Sequence, residues 1–88
     1  MQKWKSHKIV EAGKIASFTK NSNTQKLDFC LVSGEIAAGI PLNLIARNIP
    51  SEGDYLVKYD DGYWSWSPAK AFEDGYTPLD DGGRQRVA

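Results

Sequence analysis

The stretch DDGYWSWSP, residues 60–68, constrains the fold more than any other part of the chain. Asp61-Gly62 stands between two runs of strand-forming residues, YLVKY and YWSW, and Asp-Gly is a strong signal for a tight antiparallel turn because that turn needs positive φ. Two strands must lie side by side here. With a two-residue loop, Tyr59 faces Trp64, Lys58 faces Ser65 and Val57 faces Trp66, so Tyr55, Val57, Tyr59, Trp64 and Trp66 share one side. A three-residue loop with a bulge changes those partners but leaves the two tryptophans on a common side. Directly after the hairpin, SPAKAFEDGY reads as a helix of about two turns. Ser67 is placed to cap it, Pro68 suits the first helical position and Gly75 suits the left-handed residue past its end.

Upstream, KIVEAGKIASFTK (Lys8–Lys20) mixes β-branched residues with lysines, and Gly13 in its middle predicts a bulge or bend. KNSNTQ has turn chemistry, and KLDFCLVS (Lys26–Ser33) completes a hairpin in which Cys30 is expected as a small buried hydrophobe. IPLNLIARNIP then predicts a short amphipathic helix opening at Pro41, with Leu42, Ile45, Ala46 and Ile49 on one stripe. It should stop near Asn48, because Pro50 biases Ile49 away from helical angles. The expected fold is α+β, a small antiparallel sheet of two hairpins with two short helices in the order ββαββα. It occupies residues 1–79 as one domain, and the polar, glycine-containing tail 80–88 is expected to be mobile.

An 88-residue chain of 41% hydrophobic content supports one thin core. Lysine plus arginine equals aspartate plus glutamate at 11 each, so no net field favours a nucleic-acid polymer or an anionic membrane. The charges are unevenly placed. Residues 1–26 hold six lysines against Glu11 alone, and residues 52–81 hold eight acids against Lys58 and Lys70. Two such poles can pair between copies, which suggests a homo-oligomer, or simply face water. One cysteine and one histidine, His7, cannot supply a four-ligand zinc site. No stretch has the length of a signal peptide's apolar core or a membrane span, so a cytoplasmic setting is expected.

Catalysis is hard to assemble from these residues. His7 lies among lysines, no serine or cysteine has an activating neighbour, and no phosphate-cradling glycine loop is present. Asp-Gly at 60–62 and 80–83 is turn chemistry before it is a cation site. We therefore expect no enzyme, no metal and no cofactor. The helix after Ser67 is more informative, because its charges oppose its dipole: Lys70 sits near its start, and Glu73 and Asp74 near its end. An exposed accident of this kind costs little. An anion held by free N–H groups at that start, with Lys70 beside it, would make sense of the pattern. Trp64 and Trp66 just upstream could stack a base, which is worth about 1–3 kcal/mol. Otherwise Trp66 packs on Ala71 and Trp64 continues the core.

Two stretches, WKSHKIVEAGKI at Trp4–Ile15 and GDYLVKYDDGYWSWSPAKAFEDGYTPL at Gly53–Leu79, resemble a family of small phage proteins. The second is similar to the C-terminal signature of the first described Thoeris anti-defence family. That resemblance implies an oligomer in the host cytoplasm that sequesters cyclic ADP-ribose-type immune signals without cleaving them, with some members also holding cyclic oligonucleotides of CBASS defence. It implies a pocket at the start of the last helix, with Trp66 and Lys70 from the signature and Arg47 and Asn48 from the end of the preceding helix. Arg47 is the only arginine outside the tail and could grip phosphate through two parallel hydrogen bonds. The competing expectation is an interaction protein whose aromatic strip is a subunit or host-protein interface.

Overall fold

The computed structural model describes residues 1–79, and the expectation of a mobile tail at 80–88 falls outside them. In chain order the strands are β1 (Gln2–Lys5), β2 (Ile9–Asn21), β3 (Lys26–Leu31), β4 (Ile36–Ile40), β5 (Tyr55–Lys58), β6 (Trp64–Ser67) and β7 (Thr77–Pro78). Among the described residues one α-helix, α1 (Ala69–Gly75), lies between β6 and β7, and a single 3-10 turn spans Leu42–Ile45. All pairings are antiparallel.

The long β2 organises the sheet. Its first half pairs with β1 on one edge and β5 on the other; a register shift between Ile15 and Ser17 then hands its second half to β3. The path β4-β3-β2-β1-β7 results, with β5 and β6 branching from β2. The four-residue turn after Asn21 is built as the residue types dictate. Asn21 Oδ1 accepts from the N–H groups of Asn23 and Thr24 at 2.9 and 3.3 Å, and Gln25 takes φ 56°.

Strand alternation divides the core into two clusters, as suits a molecule 42 Å long and only 24 by 23 Å across. One holds Ile15, Leu27, Phe29, Leu31, Ile40 and Leu56; the other holds Val10, Ala12, Tyr55, Val57 and Phe72. Successive β5 residues point to opposite faces, so Leu56 serves the first cluster and its neighbours the second. That is why all three of Tyr55, Leu56 and Val57 are buried. Trp4 packs edge-on to both Phe72 and Tyr55, with ring centroids at 4.9 and 5.5 Å. This contact holds α1 against the sheet.

The α+β class, the antiparallel sheet and the hairpin of β2 with β3 agree with expectation, but the order ββαββα does not. Strands β1, β4 and β7 are additional, and the helix expected from Pro41 to Asn48 is one 3-10 turn. Leu42, Leu44 and Ile45 all pack on the first cluster, a spacing that a tight turn provides and an α-helical stripe does not, while Ile49 is 67% exposed. Cys30 is exposed rather than buried, because Leu27, Phe29 and Leu31 take the inward positions of β3. Gly13 is not the bulge; it pairs regularly with Leu56, and the side chain of Leu31 lies against its backbone. Among the described residues no helix is long and apolar enough to cross a membrane.

Candidate functional site

Tyr59 N–H donates to the Tyr63 carbonyl at 2.9 Å and Gly62 N–H to the Tyr59 carbonyl at 2.9 Å, so the hairpin loop is Asp60-Asp61-Gly62. Gly62 takes φ +87°, as a three-residue loop closed by a bulge requires. The register therefore differs by one from the two-residue alternative: Lys58 faces Trp64, Val57 faces Ser65 and Leu56 faces Trp66. The tryptophans share a side with Leu56 and Lys58, while Tyr55, Val57 and Tyr59 belong to the opposite face.

The two indoles have different surroundings. Trp64 packs on the first core cluster, and the Lys58 ammonium sits 5.4 Å from its ring centre. Trp66 is half-buried on the edge strand β6, which pairs only with β5, and belongs to neither cluster. Both indoles are half-buried, and Trp66 is the one not packed on a core cluster.

The start of α1 is filled from within the chain. Asp54, in the turn ahead of β5, accepts the Ala69 N–H on Oδ1 at 3.1 Å and the Ser51 N–H on Oδ2 at 2.8 Å. Ser67 does not cap the helix; its hydroxyl lies 3.4 Å from the Pro68 carbonyl, and Pro68 is itself the capping residue. One of the N–H groups expected to be free for an anion, that of Ala69, thus already has a carboxylate, which also complements the helix dipole. Lys70, at the second helical position, is exposed. Gly75 ends the helix without positive φ, since the following Tyr76 is extended at φ −130°.

Arg47 and Asn48 are exposed just past the 3-10 turn, which packs against β6. Among the described residues no side-chain hydrogen bond or ion pair joins Arg47, Asn48, Trp64, Trp66 or Lys70 to one another. None of the five lines the clefts found among the described residues.

Two features escaped the sequence reading. Asp54 is one, since capping across 15 residues has no local signature. The other is a cleft of about 570 Å³ at the open end of the sheet, lined by Lys3, Lys5, Lys8 and Lys58 with His7 and Tyr59 among its further walls. Its only sequence signal was the lysine spacing of the N-terminal segment. On the opposite face, the Tyr55 hydroxyl donates to Glu73 Oε2 at 2.6 Å. Burial, then the hydrogen bond to Glu73 and its negative charge, push the Tyr55 hydroxyl up to about 12. Compared with protein-family models, curated proteins and solved structures, the chain matches none.

Proposed function

We propose that this chain is a non-catalytic binding protein that sequesters a cyclic nucleotide-type signal, either a cyclic ADP-ribose isomer or a cyclic oligonucleotide. It would act as the phage anti-defence family does whose signature residues 53–79 resemble. The observation that carries the reading is Trp66, half-buried on an edge strand and outside both core clusters, with exposed Lys70 four residues on. A flat ring stacks any base, and a lysine supplies counter-charge to phosphate. Arg47 and Asn48, which follow a turn packed on β6, would supply the remaining polar groups of the strip. Assembly of several copies would close that strip into a pocket before ligand arrives and so reduce the ordering cost of binding.

Calorimetric titration with cyclic ADP-ribose isomers and cyclic dinucleotides tests the proposal. At least one should bind. Trp66→Ala should weaken it about tenfold or more, given about 1–3 kcal/mol per stacked base, and Lys70→Glu should abolish binding without changing the protein's assembled mass. The second reading, an interaction protein, is favoured by Ile36 at 70% and Val32 at 62% exposure beside the edge strand β4. It predicts the opposite pattern, with changed mass and no ligand.

A further inference from the structure

We infer that the open end of the sheet, where β1, β2 and β5 meet, is an anion-binding cleft that seats the phosphates of a nucleotide-sized ligand. The register puts the charges there. Lys3 lies across from Glu11, Glu11 across from Lys58 and Lys58 across from Trp64, so these four side chains form a single row on one face. Lys5 extends the same face of β1, opposite Ile9, and the turn from Ser6 to Lys8 folds back onto the same end. The open cleft's volume of about 570 Å³ falls among those of pockets that hold small molecules.

Among the described residues no ion pair neutralises the lysines of this cleft. The ion pairs among those residues join the Met1 ammonium to Glu35 and Lys14 to Glu73, both away from it. Glu11 stands between Lys3 and Lys58 and offsets one of them, while Lys5 faces the apolar Ile9. Positive charge is left in excess over Glu11 and Asp60 in a concave site, where field lines concentrate. Lys58 is further held by the ring of Trp64 at 5.4 Å, so part of its freedom is already given up before an anion binds. Tyr59 and Asp60 close the cleft at the end of β5.

A small ligand fits this surface better than a polymer. Glu11 in the row and Asp60 at the rim, followed by Asp61, put negative charge where a continuous run of phosphates would have to leave. No net positive charge on the chain would compensate. The inference rests on the signal-binding reading only for the ligand being a nucleotide. The phosphate seat stands on the lysines alone.

The test is two-dimensional amide NMR of the whole chain, titrated separately with inorganic tripolyphosphate, a cyclic dinucleotide and a twelve-nucleotide single strand. Saturable shifts centred on residues 3–11 and 58–60 are expected with tripolyphosphate. Lys5→Gln combined with Lys58→Gln should weaken it at least tenfold, and Lys20→Gln, at the far end of β2, should not. Far-UV circular dichroism confirms that each variant is folded. If tripolyphosphate binds in the cleft and cyclic nucleotides do not bind at all, the cleft stands and the signal-binding reading falls. If cyclic nucleotides bind while residues 3–11 and 58–60 stay unmoved, the cleft falls and that reading stands. No saturable shift with tripolyphosphate, or an oligonucleotide that binds more tightly, overturns the inference.

Discussion

Asp54 Oδ1 accepts the Ala69 N–H at 3.1 Å, so one carboxylate ties the turn ahead of β5 to the first residue of α1. Its other oxygen holds the Ser51 N–H, which makes the turn and the helix start interdependent. Asp54→Ala should therefore cost about 1–2 kcal/mol, the loss typical of a helix cap. Ser67→Ala should cost under about 0.5 kcal/mol, because that hydroxyl caps nothing. Urea unfolding of the two variants checks the contrast, and equal losses would contradict this account of the helix start.

Gly13 is set apart by a close contact and not by its backbone angle. A methyl group there would lie 2.5 Å from Leu31 Cδ1, inside the first core cluster. Gly13→Ala should destabilise by about 1–3 kcal/mol through overpacking. Combining it with Leu31→Val should recover part of that loss, a positive coupling readable in a double-mutant cycle.

The Tyr55–Glu73 hydrogen bond sets an alkaline limit. Tyr55 is held at about 12 when folded against its ordinary value of 10.0, so the folded state keeps the proton longer than the unfolded chain does. Its contribution to stability is complete below pH 10 and is lost as pH rises from about 10 to about 12. Thermal unfolding across that window should fall more steeply for the native protein than for Tyr55→Phe. At pH 7 the same substitution should cost about 1 kcal/mol for the lost hydrogen bond.

Cys30 points outward from β3. A thiol reagent should label it to completion in the folded protein at the rate of an open thiol. Protection until denaturant is added would mean that another copy covers β3.

What could be read from residue order alone was local. Asp61-Gly62 announces its turn through the positive φ it requires, Asn21 through its side-chain hydrogen bonds, and α1 through Pro68 just ahead of it. The long β2 and its partner β3 show as β-branched and aromatic runs. Strand β4 was hidden because IAAGI has little strand character of its own and forms by pairing with β3. The 3-10 turn was hidden because its leucines and isoleucines also fit a helical stripe. The site shows the same division. Trp66 and Lys70 stand out by composition and position, whereas the Asp54 cap depends on the register of the β5–β6 hairpin and the lysine cleft on the pairing of β2 with β5, far apart in the chain.

On the proposed function, the protein holds a cyclic nucleotide signal and leaves it intact. Native mass spectrometry of the protein mixed with cyclic ADP-ribose isomers and cyclic di- and trinucleotides measures this directly, followed by heat release and identification of what was bound. A saturating adduct of defined stoichiometry on an assembled species is expected, with release of the ligand at its original mass. No adduct with any member of the panel, or release of cleaved products, would contradict it.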